Sequence, residues 1–225
     1  MTADLRGLHY LTAPNQPQLD RQNKAPAIDN SGDMYSYNPY GYRCCQHNAA
    51  MGWPYYAERQ WMATGGNGLA AVFYSTNTVR ARVGRGGEAT IRETTDYPFD
   101  GAVRMTVHLK APERFPLVLR IPSWARKPRV AVNGQPVEVP ARAAWLTVER
   151  QWSEGDRVEL TLPAEVEIRR WPDRWNAASV HYGPLAFSLR IREDWRAYGG
   201  EGEWKQYEVF PASPWNYALE ADAPL

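Results

Sequence analysis

From Leu69 to Leu162 the chain runs in short stretches where apolar and polar positions alternate, the period of a strand with one face buried. Leu69–Ser75, Val79–Val83, Ala89–Glu93, Val103–Leu109, Leu117–Ile121, Val130–Val132, Trp145–Val148 and Val158–Leu162 are short, β-branched and partly alternating. In Val103-Arg104-Met105-Thr106-Val107-His108-Leu109 the two faces separate cleanly, and His108 falls on the wet one. Turn residues divide the runs. Asn133-Gly134 reads as a tight hairpin, and so does Ser153-Glu154-Gly155-Asp156 before Arg157. Ala177–Tyr182 and Leu185–Ile191 read as two more strands joined by Gly183-Pro184. Strands of this kind, from about residue 69 to 191, predict an antiparallel β-sandwich and a mainly β chain.

Upstream the period changes. From Gln46 to Ala63 the residues Ala49, Ala50, Trp53, Ala57, Trp61 and Met62 recur near helical spacing, with Asn48 as a candidate cap. Pro54 predicts a kink or the first turn of a second helix, and Thr64-Gly65-Gly66-Asn67-Gly68 ends the helical pattern. Residues 1–43 show no sustained period, so they read as loop held down by packing against neighbours. The chain divides on this reading into 1–64, 65–191 and a turn-rich, aromatic extension over 192–225.

Composition adds less than pattern. The formal net charge is +1, with Lys only at Lys24, Lys110, Lys127 and Lys205, so no strong field draws nucleic acid or an anionic membrane. No segment approaches the roughly 20 apolar residues of a membrane span. The opening residues Met1–Gly7 lack a hydrophobic signal core, which leaves the compartment open between cytoplasm and periplasm. Ten Trp and thirteen Tyr against five Phe suit either sugar stacking or a β-rich core.

The sharpest chemistry lies in Tyr42-Arg43-Cys44-Cys45-Gln46-His47-Asn48, which holds the only two cysteines. Adjacent cysteines make a strained disulfide. Just before a helix N-terminus, and beside Arg43, a thiolate is favoured, and it can serve as nucleophile or metal ligand. Two buried free thiols acting as small hydrophobes is the plainer alternative. His47 stands three residues after Cys44, as a ligand or as a residue lining a substrate. Tyr35, Tyr37, Tyr40 and Tyr42 either line a sugar subsite or pack the loop.

The run Gly41 to Asn48, then Gly52-Trp53-Pro54-Tyr55-Tyr56 and Asn67-Gly68-Leu69, resembles glycoside hydrolase family 127, the β-L-arabinofuranosidase family first catalogued as domain of unknown function 1680. Further matches follow in order: Thr95-Asp96-Tyr97-Pro98-Phe99, Leu119-Arg120-Ile121-Pro122-Ser123-Trp124, and Val132-Asn133-Gly134. Trp152 with Gly155-Asp156, Leu162-Pro163, Tyr182-Gly183-Pro184-Leu185, Tyr207 to Pro211 and Ser213 to Tyr217 complete the series.

The resemblance implies an (α/α)6 six-hairpin barrel followed by β-sandwich domains, with residues 1–64 holding the last loop and helix of that barrel. It implies retaining cleavage of terminal β-L-arabinofuranosyl residues, or of a related sugar, by a zinc-bound cysteine with a glutamate as acid/base. Carried over, Cys44 is the nucleophile, Cys44 and Cys45 are zinc ligands, and His47 and Tyr42 contact substrate. A non-catalytic carbohydrate-binding or structural β-sandwich is the alternative. The family's third cysteine has no counterpart here, and Glu58 does not stand where the acid/base glutamate should. Retention needs two groups about 5 Å apart. The expectation is therefore a fragment that is inactive alone and binds zinc weakly.

Overall fold

The computed structural model describes residues 9, 16–22, 36–40, 43–174 and 176–218, with the backbone alone for 43–46. One helix and fifteen strands are assigned among them: α1 (Arg43–Glu58), β1 (Trp61–Ala63), β2 (Leu69–Ala71), β3 (Asn77–Val83), β4 (Gly87–Thr95), β5 (Ala102–Leu109), β6 (Glu113–Arg120), β7 (Arg129–Val132), β8 (Gln135–Val137), β9 (Trp145–Trp152), β10 (Arg157–Thr161), β11 (Val166–Trp171), β12 (Ala177–Tyr182), β13 (Leu185–Phe187), β14 (Glu193–Glu201) and β15 (Trp204–Pro211). The chain forms two compact units, one of Met1–Pro54 with Ser188–Leu225 and one of Tyr55–Phe187. The boundaries read from sequence, at 64/65 and 191/192, cut the chain elsewhere.

The unit Tyr55–Phe187 contains a four-stranded sheet in the order β1-β2-β6-β9 and a six-stranded sheet in the order β3-β4-β5-β10-β7-β8. Pairing is antiparallel throughout both, except for β2 beside β6. The alternation read from sequence is the alternation of burial. Val103, Met105 and Val107 of β5, Val158 and Leu160 of β10, and Phe115, Leu117 and Leu119 of β6 join one buried cluster. Each such side chain contributes about 1.5–3 kcal/mol on leaving water. Trp152 is fully buried there, and its indole N–H donates to the Phe115 carbonyl at 3.0 Å.

Asn133-Gly134 is the expected two-residue hairpin, with both residues at positive φ (53° and 78°) between Val132 and its partner Gln135. The turn at 153–156 departs from expectation. β9 pairs with β6 and β10 with β5 and β7, so this turn carries the chain from one sheet to the other. The two turns interlock. Asp156 accepts from Ser153 N at 2.9 Å and from Asn133 Nδ2 at 2.8 Å, and Asn133 Oδ1 accepts from Arg157 N at 2.8 Å.

Four other expectations change. β12 and β13 join neither large sheet; with β11 they make a separate three-stranded one, and β13 stops at Phe187. The helix begins at Arg43 and ends at Glu58, so Asn48 lies inside it and Pro54 neither ends it nor starts another. Residues 61–63 are strand, and the run from Thr64 is the β1–β2 loop. A Cβ on Gly68 would meet the Pro116 carbonyl oxygen at 2.0 Å, which is why only glycine fits.

In the other unit, the extension from 192 is less loop-like than its composition predicts: β14 and β15 form a hairpin. Leu19 bridges to Val209 and Tyr37 to Tyr207. The described residues of the opening segment are thus loop pinned to that hairpin, as expected in kind. The rest of 1–43 lies outside the described residues.

Replacing Trp152 with Phe should lower unfolding stability by about 1–3 kcal/mol, because it strands a buried carbonyl. Urea denaturation measures this. A loss under about 0.5 kcal/mol, the size of an inconsequential surface change, would contradict the role given to the indole N–H.

Candidate functional site

Cys44 and Cys45 are the second and third residues of α1. They sit within the first turn rather than ahead of it, as the sequence suggested. That turn carries no acidic residue. Its N–H groups have no partners within the helix, and the helix dipole adds positive potential, which together favour a thiolate. Position 47 is one turn on from position 44, and His47 is exposed. Tyr42 lies outside the described residues, as do the side chains of the two cysteines.

From His47 to Arg59 every residue is exposed, including Trp53 at 63% and Tyr55 at 54%. Cysteine and histidine are donor types that zinc accepts, so Cys44, Cys45 and His47 fit the metal chemically. Among the described residues, no group of three or more His, Cys, Asp or Glu is placed to hold a metal ion. Glu58 is exposed and pairs with Arg59 at 2.9 Å.

Sequence reasoning missed Glu93. Its side chain is fully buried in the Tyr55–Phe187 unit. Oε1 accepts from Ser75 N at 2.8 Å, while Oε2 is buried without a hydrogen-bond partner. The Ser75 hydroxyl in turn accepts from Gln60 Nε2 at 2.7 Å, and Gln60 O accepts from Val72 N at 2.8 Å. This polar chain fixes the exit of α1 against the start of β3. Burial pushes the Glu93 carboxyl up to about 8, opposed only by the Ser75 N–H. A raised carboxyl is what a general acid needs, but Glu93 has no exposed surface from which to reach a sugar oxygen.

Several candidates turn out to be packing groups. Tyr37 stacks on Trp195 at 4.9 Å, and Trp195 meets Tyr207 edge-on at 5.6 Å. Tyr40 OH accepts from Glu201 N at 3.2 Å. Two of the four early tyrosines therefore serve the β14–β15 hairpin; Tyr35 and Tyr42 lie outside the described residues. His108 is half-buried and 2.8 Å from Glu154, so it is paired rather than simply solvated. Trp171, Trp204 and Trp215 are exposed, and Trp175 lies outside the described residues. No described helix is long and apolar enough to cross a membrane.

Comparison with known proteins bears on the fold. Residues 68–164 match the profile of the β-L-arabinofuranosidase GH127 middle domain. A crystal structure of a GH127 β-L-arabinofuranosidase from Geobacillus stearothermophilus T6 superposes with a TM-score of 0.59 at 20% identity, over 75% of this chain and 34% of that one. A protein described as a glycoside hydrolase gives 0.65 at 21% identity, over 92% and 42%. A GH127 β-arabinofuranosidase gives 0.61 at 18%, over 79% and 37%. At such identities the likeness establishes the fold. The chain spans 34–42% of the length of these structures. No curated protein matches it in sequence.

The pH dependence of stability tests the Glu93 site. Its pKa rises from 4.5 unfolded to about 8 folded, so the folded state holds the proton more tightly. The stabilising contribution is complete below the lower value and is lost as pH rises to the upper one. Melting temperature should therefore fall across that window, and Glu93→Gln should flatten the fall. Parallel profiles for the two proteins would contradict the assignment.

Proposed function

We propose that this chain, whose residues 68–164 match the profile of the β-L-arabinofuranosidase GH127 middle domain, is part of a retaining glycoside hydrolase acting on terminal β-L-arabinofuranosides or a related sugar. The family match is the observation that carries the reading. The placement of Cys44 and Cys45 in the first turn of α1 supports it.

In this reading Cys44 is the nucleophile. Its thiolate attacks the anomeric carbon, a C–S bond forms as the C–O bond breaks, and the leaving oxygen takes a proton from a general acid. Water then gives a proton to that same group, now a base, and attacks the anomeric carbon; a C–O bond forms as the C–S bond breaks, the thiolate is restored and the sugar leaves with retained configuration. Cys44 and Cys45 would hold zinc, and His47 and Tyr42 would touch the sugar. When bound, the metal keeps the thiol deprotonated at neutral pH while damping its basicity. Glu58 is tied to Arg59, and Glu93 is sealed in the core, so neither is assigned as the acid.

A second reading has its own support. The family match begins at residue 68, beyond the cysteine pair. What it covers is a β-sandwich, and a sandwich alone can serve as a carbohydrate-binding or structural module.

One comparison separates the two. The native polypeptide containing these residues is assayed on an aryl β-L-arabinofuranoside, beside its Cys44→Ser variant. The enzyme reading expects turnover that falls at least about 10³-fold in the variant, as loss of a nucleophile does. Unchanged turnover would remove Cys44 from the chemistry. Sugar binding without turnover in either protein would favour the module.

A further inference from the structure

Four segments that carry the family resemblance converge within the Tyr55–Phe187 unit. Tyr97, Phe99 and Asp100 come from the β4–β5 connection, Trp124 from the loop after β6, Leu162 to Ala164 from just after β10, and Tyr182 from the end of β12. Together they line a cleft of about 270 Å³, just below the roughly 300–1,000 Å³ usual for small-molecule sites. The nucleophile and zinc assignments make no use of them.

The rings divide into two sets. Trp124 and Tyr97 lie 6.4 Å apart at 22° and pack against the core. The Trp124 ring also sits close to Gly183, where an added Cβ would meet it at 3.3 Å. These two form the wall. Phe99, 78% exposed, and Tyr182, 39% exposed, are large rings left in water at the same cleft. Exposed rings at one cleft offer a surface that the apolar face of a ligand can cover.

The polar groups narrow the ligand. Asp100 Oδ1 accepts from Ala102 N at 3.0 Å, which fixes the carboxylate beside the rings. The lining includes Thr161 but no Lys, Arg or His. With a carboxylate and no cation in its lining, the cleft disfavours uronates and phosphates. The carboxylate accepts hydrogen bonds from hydroxyls, while ring faces cover the apolar C–H side of a sugar.

Resting on the glycoside hydrolase reading, we propose that this cleft binds one neutral sugar residue of a glycan chain, at a subsite separate from the cysteine pair. The sugar's apolar face covers Phe99 and Tyr182, and its hydroxyls donate to Asp100.

Calorimetric titration of the 225-residue chain with a neutral arabino-oligosaccharide tests this. Phe99→Ala, Asp100→Asn and Cys44→Ser are run alongside, each first shown to melt like the wild type. Saturable binding is expected, at least tenfold weaker in Phe99→Ala and in Asp100→Asn than in the wild type. Absence of binding to the wild type, or binding that both cleft variants retain, would overturn the proposal. Binding lost only in Cys44→Ser would also overturn it, by placing the sugar on α1 and leaving the enzyme reading intact. An oligogalacturonate bound as well as the neutral glycan would refute the neutral assignment, and tighter binding of tetramethylammonium would make the cleft a cation cage instead. Loss of binding in the cleft variants would sustain the proposal even if Cys44→Ser left turnover untouched.

Discussion

Much of the larger unit hangs on β6. Its inward row, Phe115, Leu117 and Leu119, is buried in the cluster shared by both sheets. Two buried aromatic side chains donate to its backbone: Trp152 to the Phe115 carbonyl at 3.0 Å and Tyr74 to the Arg120 carbonyl at 2.6 Å. The β1–β2 loop comes so close that only glycine is tolerated at Gly68, against the Pro116 carbonyl. Pro116 pairs with Glu149 of β9, and pairing with β2 begins one residue later, at Leu117. A strand held from both neighbours and from the core leaves little freedom to the connections at its ends, and the cleft residue Trp124 stands on one of them.

The strands of the sandwich were legible because their burial is one-sided. Where one face meets a core, the period of two is written in the residues, and Val103 to Leu109 is the plainest case. The hairpin at Asn133-Gly134 was legible for a local reason, since two consecutive positive φ angles select those residues. The connection at 153–156 was not, because which sheet receives a strand is decided by long-range pairing that a turn sequence does not encode. β14 and β15 escaped for the opposite reason. Their residues, from Glu193-Asp194-Trp195 onward, are polar, aromatic and glycine-containing, and they are held by each other and by Leu19 and Tyr37. No apolar alternation was needed, so none is present.

The candidate site shows a similar split. The cysteine pair was visible because adjacent cysteines have few ordinary structural uses, but the start of α1 was misjudged by three residues because Asn48 looked like a cap. Glu93 did leave a signal. It occupies the third inward position of β4, after Ala89 and Ile91, where an apolar residue belongs. A carboxyl in that place needs a partner, and Ser75 supplies only one. The cleft could not be foreseen as a cleft, since its four segments lie as far apart as Tyr97 and Tyr182. Each was readable as a motif, and none as a neighbour of the others.

Assigning Cys44 as nucleophile makes a claim about a covalent bond, and that bond can be weighed. The native polypeptide, mixed briefly with an activated β-L-arabinofuranoside and quenched in acid, is digested and its Cys44 peptide examined by mass spectrometry. The account predicts that peptide carrying one pentosyl unit through sulfur, with none on the Cys45 side chain. A sugar found on a carboxylate instead, or hydrolysis proceeding with inverted configuration and no adduct, would contradict it.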